Sequence, residues 1–187
     1  ASLVERFLRD PSIRCSTVEK QAFVEQHYLI TKALISPHST EDIISFATEI
    51  LSLPDTRAGY IIEAGCYKGS STAKFSIAAG LAGRQLVVFD SFQGLPAQNE
   101  EHGMSIEGRE VIFNEGDFSG SLEEVRNNGE NYGNIDDCPL IMGWFEEKMK
   151  MLNLVKGVVS NKLKQFKNDN EYVCWYRMCV LNKYEFI

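Results

Sequence analysis

The fold of this chain is decided by residues 60–96, which read YIIEAGCYKGSSTAKFSIAAGLAGRQLVVFDSFQGLP. The apolar run at 60–62 predicts a short strand buried inside a parallel sheet. Gly65 and Gly69 follow it and bracket a tight turn, and small residues then predict a helix over 70–81. A buried strand, a glycine turn and a helix in this order are typical of an α/β sheet that binds a nucleotide.

Acidic residues stand at the ends of two predicted strands in this stretch. Glu63 ends the first strand, and Asp90 ends the second apolar run, about 20 residues beyond the glycine turn. Asp90 is placed to accept hydrogen bonds from both hydroxyls of a ribose. Glu63 would repel a pyrophosphate, but it suits a cationic ligand end such as the sulfonium and ammonium groups of S-adenosylmethionine. The pattern Glu63-x-Gly65-x-x-x-Gly69, joined to Asp90, therefore favours S-adenosylmethionine as the cofactor.

Two other interpretations of the same stretch stay open at this point. A nicotinamide-dependent oxidoreductase needs G-x-G-x-x-G, whose middle glycine lets the backbone approach a pyrophosphate. This chain lacks the middle glycine and has Glu63 close by, which speaks against a dinucleotide. The stretch could also be an ordinary βαβ unit with glycines at its turns.

Composition and charge narrow the class of protein. The 187 residues are enough for one domain with a hydrophobic core. A formal net charge of −7 without a Lys/Arg cluster argues against a nucleic-acid partner, and no apolar run is long enough to cross a membrane. Five cysteines without metal spacing, and no signal-peptide pattern, predict reduced thiols in the cytoplasm.

Further elements are predicted on both sides of the decisive stretch. Ser39 and the acids after it predict a helix start before the apolar run at 43–51. The polar residues 93–120 predict a long surface loop, of the kind that forms lids or substrate elements. Also predicted are a helix at 121–132, a strand at 138–142, a helix at 149–166 and a last strand at 172–181.

Three strings of the chain together resemble the macrocin O-methyltransferase (TylF-type) family: IIEAGCYKGSSTAKFS, VVFDSFQGLP and IMGWFEEKM. They follow one another in the order and spacing of that family, and the similarity covers roughly residues 28–149. The resemblance implies an α/β fold of class I methyltransferase type, with a partial Rossmann-like sheet, helices on both faces and a helical N-terminal extension. It also implies methyl transfer from S-adenosylmethionine to a hydroxyl of a sugar or natural-product-like small molecule, with Mg²⁺ as a second cofactor.

The same resemblance assigns three groups of residues to the cofactor. They are Glu63, Gly65, Gly69, Ser70 and Ser71 around the methionine end, Asp90 and Ser91 at the ribose, and Gly143 and Trp144 at the adenine. Ala64 and Tyr67 are also expected to border the cofactor. The helix N-terminus at Ser70 would hold the methionine carboxylate. Ser91 could instead cap a turn, and Trp144 could be a core aromatic.

The resemblance ends near Met149. Later strands of the family bring paired aspartates that bind the metal and position the acceptor, whereas residues 150–187 hold only Asp169, Glu171 and Glu185 as acids. The sequence therefore identifies no catalytic residue and no metal ligand. The alternative to an active enzyme is a non-catalytic or relic domain that keeps the fold and the cofactor site.

These patterns divide the chain into three regions. We predict a helical N-terminal region at 1–55, a cofactor-binding core at 56–149 and a diverged or truncated tail at 150–187 that packs on the same domain. The expected partner is a small molecule that carries the acceptor hydroxyl. A partial sheet leaves an edge on which strands of another copy could pair, so a homo-oligomer is a further expectation.

Overall fold

The computed structural model describes residues 2–53, 60–97, 103–104, 110–111, 114–144, 148 and 173–176. Within these ranges the chain forms five α-helices and six β-strands. The helices are α1 (Leu3–Arg9), α2 (Thr17–Ala33), α3 (Thr40–Ser52), α4 (Ser70–Leu81) and α5 (Leu122–Tyr132). The strands are β1 (Ile61–Ala64), β2 (Leu86–Asp90), β3 (Gly103–Met104), β4 (Glu110–Val111), β5 (Leu140–Met142) and β6 (Val173–Tyr176).

Four of the strands form one parallel sheet in the order β5-β2-β1-β6. In its centre, Ile61 of β1 lies opposite Leu86 of β2, and Ala64 lies opposite Phe89. The chain runs from β1 to β2 and on to β5, whereas β6 lies on the other side of β1. The strand order therefore reverses beside β1, and open α/β sheets bind their ligands at the carboxyl ends of the strands at such a point.

Both faces of the two central strands are buried along their whole length. Ile61, Leu86 and Val88 belong to the core that the sheet shares with the helices. Ile62 and Phe89 point to the opposite face, because side chains alternate along a strand, and they are 1% and 0% exposed. Strands covered on both faces need continuous apolar runs, and the two runs in the sequence meet that need.

The helices form a layer in which α3 packs on α4 and α4 packs on α5 and β2. The helices α1 and α2 pack on this group, α1 against α3 and α2 against both α3 and α4. One cluster of buried side chains runs through the layer and includes Phe7, Ile43, Phe75 and Val125. Helix α4 is thereby held between the sheet and its neighbouring helices.

Most of the predicted elements are confirmed, with small shifts at their ends. The helix at 70–81 matches α4, and the helix start at Ser39 is confirmed because Ser39 caps α3. Strand β5 begins at Leu140 instead of 138, and β6 lies within the predicted last strand at 172–181. The α/β class with a parallel sheet is confirmed as well.

Two further predictions concern the loop at 93–120 and the helix at 149–166. Strands β3 and β4 pair antiparallel inside the predicted loop at 93–120, where two-residue strands are too short to give a periodic pattern. The helix predicted at 149–166 lies outside the described residues. Among the helices that the structure describes, none has the length and apolar character to span a membrane.

Candidate functional site

The carboxyl ends of β1, β2 and β5 meet at one edge of the sheet, and the residues predicted for the cofactor lie there. Backbone hydrogen bonds join these strand ends. The Gly65 N–H donates to Phe89 O at 2.8 Å, and the Gly143 N–H donates to Asp90 O at 2.9 Å. Residues far apart in the sequence, from the glycine turn to the end of β5, are thus brought to one place.

The turn after β1 uses backbone conformations that favour glycine. Gly65 and Gly69 have φ angles of +85° and +81°, where a Cβ atom is strained. Gly69 also lies against α5, since a Cβ on it would be 3.1 Å from Val125 Cγ1. Tyr67, between the two glycines, has a φ of +50°. Such strain in a residue other than glycine is concentrated at functional sites.

Helix α4 begins without a side-chain cap, in contrast to the other four helices of the described ranges. Its N-cap residue is Gly69, and its first turn has no acidic residue. Ser70 is 3% exposed, and its Oγ has no hydrogen-bond partner among the described residues. Leaving a buried hydroxyl unpaired costs about 1–3 kcal/mol. The free N–H groups of a helix N-terminus attract anions. An anionic ligand would therefore provide acceptors both for these N–H groups and for the Ser70 hydroxyl.

Glu63 directs its carboxylate at the first turn of α4. The Ser71 hydroxyl donates to Glu63 Oε1 at 2.5 Å, and the Thr72 hydroxyl donates to Glu63 Oε2 at 2.7 Å. All three side chains are buried, and Glu63 is 1% exposed. Thr72 was not among the predicted site residues, because no spacing distinguishes it from Ser70 and Ser71.

Asp90 binds backbone groups of two different turns. Its Oδ2 accepts from the Cys66 N–H at 2.6 Å, and its Oδ1 accepts from the Phe92 N–H at 2.8 Å. Each carboxylate oxygen has two acceptor positions, so one bond to each oxygen leaves capacity for a ligand hydroxyl. Asp90 is 8% exposed, and it fixes the glycine turn to the end of β2.

Ser91 holds the turn that follows β2. Its hydroxyl donates to Gly94 O at 3.0 Å and accepts from the Gln93 N–H at 3.1 Å. The turn-capping role that the sequence left open for Ser91 is therefore present. Phe92 lies in the same turn, with a φ of +56°, and belongs to the core. A contact between Ser91 and a ribose stays a prediction.

A loop at 114–120, which is part of the surface loop predicted at 93–120, packs on the glycine turn. Leu95 N–H donates to Asp117 O at 2.9 Å and ties this loop to the turn after β2. Phe118 has a φ of +59°, and its ring meets the Tyr67 ring edge-on at a centroid distance of 6.1 Å. A side chain at Gly120 would collide with the carbonyl oxygen of Tyr67. The glycine at position 120 was the one feature of the sequence that indicated how closely this loop approaches the glycine turn.

The remaining predicted residues end the strands of the site. Ala64 is fully buried as the last residue of β1. Gly143 follows β5 with a φ of +139°, and a Cβ on it would collide with the Lys148 side chain. Trp144 is 37% exposed, so it is not a core aromatic. Gly143 and Trp144 thus lie beside Asp90 along the carboxyl edge.

The described residues contain no group of three His, Cys, Asp or Glu side chains that could hold a metal ion. This part of the chain therefore offers no such cluster for the magnesium that the family resemblance implies. Within the described ranges, Cys15, Cys66 and Cys138 take part in no disulfide. Burial raises the pKa of the Cys138 thiol to about 11, and Cys66 is fully buried. Cys138 therefore lacks the acidity of a reactive thiol, and Cys66 lacks the exposure.

Comparison with known proteins identifies a family for this arrangement. The sequence profile of the macrocin-O-methyltransferase (TylF) family matches residues 46–160. This match starts later than the expected similarity at 28 and continues past Met149. It includes β1, α4, β2, α5 and β5, and therefore every residue assigned to the candidate site.

A curated relative is the 8-demethyl-8-(2,3-dimethoxy-alpha-L-rhamnosyl)-tetracenomycin-C 4'-O-methyltransferase of Streptomyces olivaceus. The two sequences are 32% identical over 113 residues, which is 58% of this chain and 42% of the relative. The chain therefore matches less than half of the length of that relative.

Two solved methyltransferase structures are also similar to the chain. The O-methyltransferase NovP is 20% identical, with a TM-score of 0.39 over 71% of this chain and 48% of that chain. The calicheamicin methyltransferase CalS11 is 18% identical, with a TM-score of 0.41 over 79% of this chain and 66% of that chain.

Proposed function

We propose that this chain, which belongs to the macrocin-O-methyltransferase (TylF) family, binds S-adenosylmethionine at the carboxyl edge of β1, β2 and β5. Its proposed reaction is the O-methylation of a sugar hydroxyl on a natural product. The observation that carries the proposal is the buried Ser70 hydroxyl, which lacks a partner among the described residues at the uncapped N-terminus of α4.

The N-terminus of α4 fits the methionine carboxylate of the cofactor. A carboxylate there would accept from the Ser70 hydroxyl and from free backbone N–H groups of the first helical turn. The partial positive charge of the helix N-terminus would favour the same anion. The glycine turn leads directly into this helix end. Its positive φ angles at Gly65 and Gly69 would strain any other side chain, so the turn needs glycine at both positions.

Asp90 fits the ribose, and the end of β5 fits the adenine. The two oxygens of Asp90 each accept one backbone N–H, and each has capacity to accept a ribose hydroxyl as well. Gly143 and Trp144 follow β5 directly beside Asp90, to which Gly143 is joined by a backbone hydrogen bond. The half-exposed indole of Trp144 offers an aromatic surface at the adenine position.

When bound, S-adenosylmethionine would supply a methyl group to an acceptor hydroxyl: the oxygen attacks the methyl carbon in line with the C–S bond, and S-adenosylhomocysteine leaves as that bond breaks. The described residues bind and orient the cofactor, and much of the rate of such a reaction comes from holding the two reacting atoms about 3 Å apart and aligned. The acceptor hydroxyl must also lose its proton to a base. A sugar hydroxyl is proposed as the acceptor because the curated relative is named as a 4'-O-methyltransferase of a rhamnosyl tetracenomycin.

Calorimetric titration of the chain with S-adenosylhomocysteine, with and without magnesium, tests the cofactor site. We expect micromolar binding, and we expect Asp90→Ala to remove it. Asp136→Ala, at an exposed acid outside the site, is the matched control and should bind as the original chain does. A folded chain that shows no heat of binding would contradict the proposal.

A second candidate function is that of a non-catalytic, cofactor-binding domain. It is favoured by the tail at 150–187, which holds three isolated acids and no paired aspartates. Transfer of a labelled methyl group to a rhamnosylated tetracenomycin distinguishes the two. Binding of S-adenosylhomocysteine without any methyl transfer would favour the non-catalytic domain, and transfer would rule it out.

A further inference from the structure

We propose that Glu63 is a positioning residue, which fixes the first turn of α4 through Ser71 and Thr72 and leaves Ser70 and the helix N-terminus to bind the ligand. The identity of that ligand rests on the proposed function. The contacts that support the positioning role belong to the protein itself, so they can be tested without any ligand.

Which of the three hydroxyl groups can donate a hydrogen bond to a ligand depends on where its hydrogen atom is already used. A serine or threonine hydroxyl has a single hydrogen to donate. The hydroxyls of Ser71 and Thr72 both donate to the carboxylate of Glu63, at 2.5 and 2.7 Å. Neither can then donate to a carboxylate of the ligand. The Ser70 hydroxyl, with no partner among the described residues, still can.

Burial explains why Glu63 holds these two hydroxyls. Glu63 is 1% exposed, and a carboxylate removed from water needs hydrogen-bond donors to offset the loss of its hydration. Bonds to an ionised group are short and about twice as strong as neutral ones. The two bonds therefore join the end of β1 to the start of α4 firmly.

Glu63 also supplies a charge that α4 lacks. The helices α1, α2 and α3 have acidic residues within their own first turns, Glu5, Glu19 and Asp42 among them. The first turn of α4 has none. The carboxylate of Glu63 contacts that turn from the neighbouring strand, where a negative charge stabilises the positive end of the helix. It acts from outside the helix, so the N–H groups at the helix end are not used by a capping side chain.

The alternative is a direct contact between Glu63 and the ammonium group of the cofactor. The two roles predict different responses to the chemistry of the ligand. A direct contact affects only ligands that carry the ammonium group. A positioning role affects every ligand that uses the N-terminus of α4, because the first turn itself is displaced.

Binding of three ligands to matched variants separates the roles. The ligands are S-adenosylhomocysteine, its desamino analogue, which keeps the carboxylate, and 5'-methylthioadenosine, which has neither group. We expect Glu63→Gln to weaken the first two by about tenfold each, the effect of losing one charge-assisted bond, and to change the third less than about twofold. Thr72→Val should give the same pattern with a smaller effect. If Glu63→Gln weakens S-adenosylhomocysteine and leaves the desamino analogue unchanged, Glu63 contacts the ammonium group and the positioning role is wrong.

Hydrogen exchange of the ligand-free chain provides the second readout. We expect Glu63→Gln and Thr72→Val each to speed exchange of the amides from Ala73 to Ser76, with a double variant no faster than Glu63→Gln alone, because both act through one contact. Ser39→Ala is the control and should speed exchange only in α3. Unchanged exchange at the start of α4 in both variants would overturn the proposal.

This readout keeps the two proposals separate. If the chain fails to bind S-adenosylhomocysteine but the exchange pattern is as expected, the proposed function fails and the positioning role stands. If Glu63→Gln does not fold, Thr72→Val decides, since it removes one donor and keeps the shape of the side chain.

Discussion

Helices α3 and α4 pack against each other in one core, yet their N-termini are built in opposite ways. At α3, Ser39 Oγ accepts from the Asp42 N–H at 3.1 Å, and the Asp42 side chain accepts from the Ser39 N–H in return. At α4, Gly69 provides no such bond, and the Ser70 hydroxyl is buried without a partner among the described residues. The N-terminus of α3 is thus capped by its own residues. The N-terminus of α4 is instead held by Glu63, which belongs to β1.

The difference separates a structural helix end from a binding one. A capping box satisfies two backbone donors and leaves little for a ligand. An uncapped helix end keeps its donors and loses the stability that a cap gives. The contacts of α4 with the sheet and with α3 and α5 compensate for that loss. Variants at the two helix ends should therefore change stability and ligand binding in different proportions.

Gly69→Ala is expected to have the largest effect on the α4 side. An alanine at a φ of +81° is strained by about 1–2 kcal/mol, and its Cβ would lie 3.1 Å from Val125 Cγ1 and 3.2 Å from Val125 Cα. We expect the free energy of unfolding to fall by about 2–3 kcal/mol and the binding of S-adenosylhomocysteine to weaken as well. Denaturant unfolding and calorimetric titration measure the two effects.

Gly83→Ala is the matched control for that variant. Gly83 has a φ of +62°, and a Cβ on it would meet nothing within 4 Å. It should show the backbone strain alone, about 1 kcal/mol, with ligand binding unchanged. Equal losses of stability and of affinity in both glycine variants would mean that the packing of the turn on α5 has no special role.

Unfolding at acid pH tests the packing of α2 against α4, because His27 of α2 is buried there. Burial, with Lys74 of α4 nearby, lowers the pKa of His27 from 6.5 to about 3. The unfolded chain therefore takes up a proton as the pH falls through about 6.5, while the folded chain does not. Stability is full above that pH and should decline below it, by about 2 kcal/mol at about pH 5.

The measurement for His27 is the free energy of unfolding across this pH range. His27→Asn keeps a donor for the carbonyl of Phe23, which His27 Nδ1 contacts at 2.8 Å, and removes the titrating ring. It should flatten the profile across this pH range. An unchanged slope in His27→Asn would show that other groups cause the loss in acid.

The local signals of the sequence were sufficient for the strands of the parallel sheet, the glycine turn, α4 and the position of Asp90. Each of these depends on short-range rules, such as an apolar run or a glycine where φ is positive. Glu63 shows what such rules leave out. Its contact with a cationic ligand end stays a prediction. Its hydrogen bonds to two hydroxyls of α4 depend on tertiary packing, which no local pattern reveals.

The aromatic residues with positive φ show the same limit. Tyr67, Phe92 and Phe118 all have φ angles between +50° and +59°, which bulky residues rarely adopt. Sequence rules assign such conformations to glycine or asparagine, so these three positions could not be predicted. They depend on contacts between the turns after β1 and β2 and the loop at 114–120, which the chain forms only when it is folded.

Ser70→Ala sharpens the contrast between binding and stability. The variant removes a buried hydroxyl that lacks a partner in the described structure and replaces it with a better helix former. We expect the free energy of unfolding to stay the same or rise by up to about 1 kcal/mol. Affinity for S-adenosylhomocysteine should fall about tenfold through the loss of a bond to its carboxylate. An affinity equal to that of the original chain would show that Ser70 is not a ligand contact.

Ser39→Ala is the reciprocal test at α3, with the smallest expected effect. The substitution removes the acceptor for the Asp42 N–H, and loss of a serine cap costs about 1 kcal/mol. Thermal unfolding should report that loss, and calorimetry should find the affinity for S-adenosylhomocysteine unchanged. If Ser39→Ala weakened binding as much as Ser70→Ala does, the two helix ends would be coupled through their shared core. The separation of a structural end from a binding end would then be wrong, because capping at α3 would itself determine the geometry of the cofactor site.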